Sequence, residues 1–248
     1  MAKIYLSPSL QPFNEYNGGG NEQQYMNLIA DAMVPYLRTN GIPFTRNRIG
    51  MTLGEVIRES NQGYYDLHLA LHSNASPENM AGQLQGTDVY YYTYSERGKR
   101  AATIIADNFK KIYPDPSKVQ IRPTTSLTEV TKTNAPAVLI EIAYHDNSQD
   151  ADWIRNHIQE IAQNLVQSLC IYFGIPFISP PQSERIGIVR TQGGNLNIRR
   201  KPTTDSEIVG QIPNGAQVKV FGETSNWYVI QYGGVTGYVR GDYLSVSS

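Results

Sequence analysis

Short apolar runs alternate with helix-like segments through the first 173 residues of the chain, and this alternation limits the possible fold more than any other feature. The runs that predict strands are Ile4–Leu6, Leu67–Leu71, Asp88–Tyr92 and Ala137–Ile140. Elsewhere, apolar residues recur at helical spacing over 25–37, 101–112 and 154–169, and Pro35 predicts a kink or an early end in the first of these helices. Apolar strands that alternate with helices predict an α/β fold, in which a mainly parallel or mixed sheet has helices on both faces.

The sequence changes character after residue 173. From about Gly187 onward, short strand-like segments are separated by turn signals such as Gly193-Gly194 and Pro213-Asn214-Gly215, which is typical of a small all-β, SH3-like barrel. The stretch between the two parts contains three prolines and is typical of a semi-rigid linker. We therefore predict a first domain of residues 1–174, a linker of residues 175–185 and a second domain of residues 186–248.

Charge and hydrophobicity exclude several classes of partner. Because 21 Lys and Arg residues nearly balance 22 Asp and Glu residues, the net charge of −1 gives no reason to expect a nucleic-acid partner. No apolar run approaches the ~20 residues that a membrane span needs. The chain begins Met-Ala-Lys and passes directly to apolar residues, so we expect no signal peptide. We expect the protein to act as a monomer.

The single cysteine, Cys170, limits the kinds of cysteine chemistry that the chain can carry. One cysteine excludes an internal disulfide framework and a cysteine-rich zinc site. Cys170 falls within a helical pattern of apolar residues, which predicts a buried structural thiol. A cysteine peptidase is disfavoured because this position is helical and has no evident histidine partner.

Three polar residues stand where a sheet of this class carries function, beyond the carboxyl ends of its strands. His72 follows the strand Leu67–Leu71, Glu141 interrupts an apolar strand, and Glu22 opens the first helix after three glycines. Glu22 has a structural explanation as a partner of the helix dipole, and a histidine at a strand end is often only hydrogen-bonded. Glu141 is harder to explain in that way, because a carboxylate inside an apolar strand must be paired or functional.

Together the three residues match the needs of a hydrolytic zinc site. Such a site requires about three nitrogen or oxygen ligands, an open position for water and a nearby carboxylate that moves a proton. We therefore predict that Glu22 and His72 are Zn²⁺ ligands and that Glu141 is the general base.

Four segments carry a resemblance to a known enzyme family. They are Ile4–Pro8, Asn21-Glu22, Asp66–Ala75 and Pro136–Glu141. Over about residues 3–173 the chain resembles the zinc-dependent N-acetylmuramoyl-L-alanine amidases of the amidase-3 family. The resemblance implies that family's fold, zinc as cofactor, and cleavage of the amide between N-acetylmuramic acid and L-alanine in peptidoglycan. It also implies Glu22 and His72 as zinc ligands and Glu141 as the catalytic glutamate.

One departure from the family pattern leaves the third zinc ligand open. The family's first strand ends in Asp-Pro-Gly-His, whose histidine binds zinc, whereas this chain reads Ser7-Pro8-Ser9-Leu10. We expect His145, four residues after Glu141, to reach the metal through a loop, although a hydrogen-bonding role in that loop is the other interpretation. The alternatives are Gln11, whose neutral amide is a weak ligand, and a two-ligand site completed by waters. His68 is excluded as the third ligand, because four strand residues separate it from His72 by roughly 13 Å and one ion cannot bridge that distance.

The C-terminal segment resembles a bacterial SH3 domain. Four motifs carry this likeness in order along the chain: Leu196–Pro202, Val209–Gly215, Trp227–Ile230 and Gly237–Val239. The resemblance implies a module that binds peptidoglycan and targets the catalytic domain to the cell wall. We expect the aromatic residues Trp227, Tyr228 and Tyr238 to lie in the core of this barrel.

The sequence thus predicts a peptidoglycan amidase that acts on the bacterial cell wall, either secreted or released by a phage, as endolysins and autolysins are. A protein of another class stays open: a degenerate amidase fold that binds peptidoglycan without cleaving it. The missing first-strand histidine favours that alternative. The presence of Glu22, His72 and Glu141 argues against it, because a site without chemistry has no need of all three.

Overall fold

The computed structural model describes residues 2–180 and 185–246 of the 248-residue chain. The described residues divide into two compact units. One unit consists of Lys3–Val34 and Phe44–Tyr172, and the described residues of the other are Ala2, Pro35–Pro43, 173–180 and 185–246. Residues 181–184, which fall in the predicted linker, lie outside the described residues. Within the described part of the chain, no helix has the length and apolar character required to span a membrane.

A six-stranded sheet forms the centre of the larger unit. Its strands are β1 (Ile4–Pro8), β2 (Phe44–Arg46), β3 (Leu67–Asn74), β4 (Thr87–Tyr92), β5 (Val119–Thr124) and β6 (Ala137–Tyr144). They are arranged in the order β2-β1-β3-β6-β4-β5, and every neighbouring pair is parallel except β6 and β4. The mixed α/β class predicted from the sequence is therefore confirmed.

The core of this unit lies around the central strands. All five residues of β1 and the first five of β3 are buried, as are the first four of β6. Strands buried on both faces are typical of parallel sheets, and this explains their nearly continuous apolar sequences. Because β1, β3 and β6 run parallel to one another, their carboxyl ends meet at one edge of the sheet.

The described residues form six α-helices beside the strands, and these helices differ from the sequence pattern in two places. The helices are α1 (Glu22–Thr39), α2 (Leu53–Gln62), α3 (Glu96–Phe109), α4 (Thr128–Thr131), α5 (Ser148–Asn156) and α6 (Ile158–Phe173). α1 continues through Pro35 to Thr39, so the helix does not end early at the proline, and the kink that Pro35 also predicts stays a prediction. The predicted long final helix is in fact two helices, since the backbone of His157 (φ −122°, ψ 21°) leaves the helical conformation between them.

Local capping explains where α2 begins. The side chain of Thr52 accepts a hydrogen bond from the backbone N–H of Glu55 at 3.3 Å, and the Glu55 carboxylate accepts the N–H of Thr52 at 2.7 Å. This reciprocal pair is a capping box, which satisfies two donors that the first turn of a helix leaves free.

Cys170 lies on α6 and is buried, as the helical pattern predicted. Burial raises the pKa of its thiol to about 12. A thiol in this state is a small core residue and not a nucleophile at neutral pH.

The second sheet is entirely antiparallel. Its strands are β7 (Arg185–Val189), β8 (Leu196–Arg199), β9 (Ile208–Ile212), β10 (Gln217–Thr224), β11 (Trp227–Tyr232), β12 (Val235–Arg240) and β13 (Leu244–Val246), in the order β13-β7-β10-β11-β12-β8-β9. Ser225 and Asn226 both have positive φ angles, which suits the tight turn between β10 and β11. Trp227 and Tyr238 are buried, as expected for core aromatics, whereas Tyr228 is half-buried.

Candidate active site

The parallel strands β3 and β6 bring two predicted site residues to one edge of the sheet. His72 on β3 and Glu141 on β6 are direct partners in the strand register. A cavity of about 570 Å³ opens at this edge, and its lining includes Leu10, Gln11, His72, Glu129 and Glu141. The placement agrees with the rule that such sheets collect functional groups beyond the carboxyl ends of their strands.

Glu22 and His72 are in direct contact. Glu22 is the first residue of α1, and its Oε1 lies 2.8 Å from Nδ1 of His72. The same carboxylate accepts the backbone N–H of Ser73 at 3.3 Å and the side-chain amide of Asn14 at 2.5 Å. Burial would raise the pKa of Glu22, but the hydrogen bond and the charge of His72 outweigh burial and hold that pKa below its usual range. The two residues predicted as zinc ligands are therefore brought together.

A residue that the sequence analysis missed, Glu129, contacts the other side of the same imidazole. Its Oε2 lies 3.6 Å from Nε2 of His72. Its Oε1 accepts hydrogen bonds from Nε2 of His68 at 2.9 Å and from the hydroxyl of Ser7 at 2.5 Å. One signal in the sequence pointed this way: His68 and His72 share a face of β3, and a fully buried imidazole such as His68 needs an acceptor.

His72 is thus flanked by a carboxylate at each ring nitrogen. Burial would lower the pKa of His72, but its contacts with the carboxylates of Glu129 and Glu22 outweigh burial and hold that pKa well above its ordinary value. Burial would likewise raise the pKa of Glu129, yet its contacts with His68 and His72 keep that pKa below the usual range. The three groups form one buried, charged row.

Glu141 differs from Glu22 and Glu129 in having one buried carboxylate oxygen that lacks a hydrogen-bonding partner among the described residues. Its Oε2 is buried and, within the described part of the chain, has no hydrogen-bonding partner. Burial raises the pKa of Glu141 to about 7; the charge of His72 opposes this shift, and the charges of Glu22 and Asp88 add to it. A carboxylate of this kind beside a cavity is suited to take up and release a proton near neutral pH.

Gln11 lies on the same side of His72 as Glu22. Its Nε2 is 3.3 Å from Nδ1 of His72, and its Oε1 accepts the side-chain amide of Asn14 at 3.2 Å. Gln11 is three residues beyond the end of β1 and directly follows Leu10. Rotation of this amide would direct its oxygen toward the ring nitrogen that Glu22 also contacts.

His145 is not brought into this cluster by direct contact. Its Nδ1 donates to the backbone carbonyl of Ser73 at 2.9 Å, and its ring stacks on Tyr16 with centroids 5.5 Å apart. The backbone N–H of Ser73 in turn donates to Glu22, so Ser73 connects His145 to the Glu22 carboxylate. These contacts match a hydrogen-bonding role in the loop; zinc ligation by His145 stays a prediction.

The side chains around His72 include several types that can bind a metal ion. Across residues 2–180 and 185–246, no three His, Cys, Asp or Glu side chains are arranged to hold one. Two such side chains, Glu22 and His72, do meet at Nδ1, and the Gln11 amide is beside them. Imidazole and carboxylate are ligands that zinc prefers, and a dication would also offset the excess of buried carboxylates around His72. The residues present fit zinc with Glu22, His72 and an additional oxygen donor.

Two family models match parts of this chain. A model of the N-acetylmuramoyl-L-alanine amidase family matches residues 13–170, and a bacterial SH3 domain model matches residues 194–245. YrvJ of Bacillus subtilis (strain 168), whose name assigns it provisionally to the N-acetylmuramoyl-L-alanine amidases, is 28% identical over 97 residues. That match covers 39% of this chain but only 18% of the length of YrvJ.

Solved structures show the same fold for the larger unit. The catalytic domain of the CD27L endolysin targeting Clostridia difficile has a TM-score of 0.58 and 23% identity, covering 69% of this chain and 98% of that one. The amidase AmiC2 of Nostoc punctiforme has a TM-score of 0.61 and 16% identity, covering 70% of this chain and 97% of that one. Since the amidase model accounts for more than half of the sequence, the chain belongs to the N-acetylmuramoyl-L-alanine amidase family and carries a bacterial SH3 domain toward its C-terminus.

Proposed function

We propose that the protein is a zinc-dependent hydrolase that cleaves the amide between N-acetylmuramic acid and L-alanine in peptidoglycan. One observation carries this proposal: the Glu22–His72 pair and the unpartnered oxygen of Glu141 meet at the end of two register-matched strands, beside a cavity. Membership of the amidase family supports the same reaction class.

Glu22, through its carboxylate, and His72, through Nδ1, would hold the ion. Gln11 is the third donor that the contacts favour, because its amide already lies 3.3 Å from that nitrogen. When bound, zinc would polarise the scissile carbonyl and lower the pKa of its water toward ~7. Leu10 takes the place of the family's first histidine, so the ligand set of this chain is weaker than the family pattern.

Glu141 would move the proton. Its Oε2 is free of hydrogen bonds in the described residues and would accept a proton from the attacking water. The same oxygen would then deliver that proton to the amide nitrogen, which leaves as the amino group of L-alanine. A pKa of about 7 suits both steps, because the carboxyl group can gain and lose the proton at similar cost.

The SH3 domain would hold the enzyme on its substrate. Binding of this domain to peptidoglycan would raise the effective concentration of the catalytic unit at the wall. The protein would then work at the bacterial cell wall, after secretion or after release by a phage.

The direct test is mass spectrometry of the soluble products from purified Gram-positive peptidoglycan, digested with and without a chelator. We expect free stem peptides that begin with L-alanine, lost on chelation and restored by zinc. Cleavage at another bond, or cleavage that a chelator does not affect, would contradict the proposal. Wall binding without any cleavage by zinc-loaded protein would instead identify a non-catalytic peptidoglycan-binding protein.

A further inference from the structure

We propose that Glu129 is a positioning residue that accepts the Nε2 proton of His72 and thereby directs Nδ1 of that imidazole to the metal. This inference rests on the proposed zinc-dependent function. It concerns a carboxylate that belongs neither to the ligand set nor to the proton-transfer step.

The first step of the argument identifies the ring nitrogen that faces the metal. Oε1 of Glu22 is 2.8 Å from Nδ1 of His72, on the side of the ring opposite Glu129. If Glu22 and His72 bind one ion, that ion must lie on the Nδ1 side. A neutral imidazole that binds a metal through Nδ1 carries its proton on Nε2.

The second step asks which group accepts that proton. A buried N–H requires an acceptor, and Oε2 of Glu129 lies 3.6 Å from Nε2. A shift of roughly 0.7 Å would shorten this ion-pair contact to the usual hydrogen-bond length of about 2.9 Å. Ligating histidines almost always donate their second N–H to such a group, which fixes the ring and raises its basicity.

The third step shows that Glu129 is itself fixed in place. Its Oε1 accepts from Nε2 of His68 at 2.9 Å and from the hydroxyl of Ser7 at 2.5 Å. The other ring nitrogen of His68 contacts Oγ of Ser60 at 2.9 Å. All four side chains are buried, so Oε2 of Glu129 is the oxygen left for His72.

This arrangement also gives a role to His68. The ring of His68 cannot share an ion with His72, but a single carboxylate reaches both rings because its two oxygens point to different histidines. His68 thus orients Glu129, and Glu129 orients His72. These contacts lead from His68, in the buried centre of β3, through Glu129 to His72 at the cavity.

The test combines zinc affinity with the protonation of His72 in the full chain. Zinc affinity is measured by competition with a chelating dye for the unmodified protein, Glu129→Gln and Glu129→Asp. We expect Glu129→Gln to bind zinc about 10- to 100-fold more weakly, with partial recovery in Glu129→Asp, which restores the charge. Glu78→Gln is the matched control, because Glu78 is an exposed glutamate of the same unit and should leave zinc affinity unchanged.

Nitrogen-15 NMR of the histidines supplies a readout that a purely structural role would not move. The chain has only four histidines, so the His72 signals can be assigned by substitution of the others. In zinc-loaded unmodified protein we expect metal on Nδ1 and a strongly hydrogen-bonded proton on Nε2, whose resonance moves upfield in Glu129→Gln. The nitrogen of His72 that binds the metal, and the proton on Nε2, are read without Glu129→Gln, so this part of the inference stays testable even if that variant does not fold.

Two results would overturn the inference alone: zinc on Nε2 of His72 in a protein that still cleaves peptidoglycan, or equal zinc affinity in Glu129→Gln and unmodified protein. Absence of zinc binding by the unmodified protein would overturn both the inference and the proposed function. The two failures are therefore distinguishable.

Discussion

His72 and Glu141 occupy the same register position on two neighbouring parallel strands. The backbone hydrogen bonds of the β3–β6 pair therefore set the spacing between the candidate ligand and the candidate base. Neither residue depends on a loop for its position, and such rigidity suits a site in which a proton and a metal ion must act on one amide bond.

Replacement of Glu141 should separate metal binding from catalysis. In Glu141→Gln we expect the cleavage rate to fall by about 10²- to 10⁴-fold, because the amide cannot accept the proton of the attacking water. Zinc affinity should stay close to that of the unmodified protein, whereas His72→Ala should lose the metal. The rate of stem-peptide release and the bound zinc per chain are the measurements.

Glu78→Gln is the control for this experiment, since Glu78 is an exposed glutamate of the same unit. This substitution should leave the rate of stem-peptide release and the bound zinc per chain unchanged. Full activity in Glu141→Gln would remove Glu141 from the mechanism.

The choice between Gln11 and His145 as third donor can be made by comparing two substitutions. Gln11→Ala should weaken zinc binding by about tenfold or more, or ~1.4 kcal/mol, because its amide lies beside Nδ1 of His72. His145→Gln should cause a smaller loss, since His145 reaches Glu22 only through Ser73. The reverse order of affinities would identify His145 as the ligand.

Restoring the family's first histidine should strengthen the metal site. Leu10 stands at that position and lines the cavity together with His72 and Glu141. We expect Leu10→His to tighten zinc binding by about tenfold or more, because imidazole is a stronger zinc ligand than an amide. Leu10→Asn, which adds only an amide, is the comparison; if both variants bind zinc as the unmodified protein does, the first-strand position is not part of the site.

Cys170 should resist thiol reagents in the folded protein. With a pKa of about 12, the thiol is ionised in roughly one molecule in 10⁴ at pH 8, and burial also blocks access to it. We expect almost no reaction with a chromogenic disulfide until a denaturant is added, and then one thiol per chain. Rapid reaction without denaturant would show that this part of α6 opens readily.

The capping box of α2 should make a measurable contribution to stability. Thr52→Ala removes the acceptor for the N–H of Glu55 and should lower the free energy of unfolding by about 1 kcal/mol. Thr52→Ser keeps a hydroxyl at this position and should retain most of the stability. Urea unfolding followed by circular dichroism compares the two; equal losses would show that the hydroxyl is not the stabilising group.

The sheet and part of the site followed from local sequence patterns. Alternating apolar runs identified the strands that carry His72 and Glu141, and the position of Glu22 after three glycines matched the start of α1. These features depend on periodicity, which a sequence displays directly, and on the parallel strand direction that alternating strands and helices imply.

The contacts between distant side chains could not be obtained in that way. Glu129 binds Ser7 across 122 residues of sequence, and His145 turns back onto Ser73 across 72. Which atoms meet depends on the course of loops and on side-chain directions that no periodic pattern encodes. The break at His157 is a similar case, because the apolar spacing continues through it while the backbone does not.

The row of Glu22, His72 and Glu129 is assembled from three separate segments, and its first two members are 50 residues apart. None of these segments holds enough of the site to act alone, so an incomplete or damaged copy of the chain would lose the whole arrangement at once. Under the proposed function, fragments and partly folded copies of the chain would therefore lack peptidoglycan-cleaving activity.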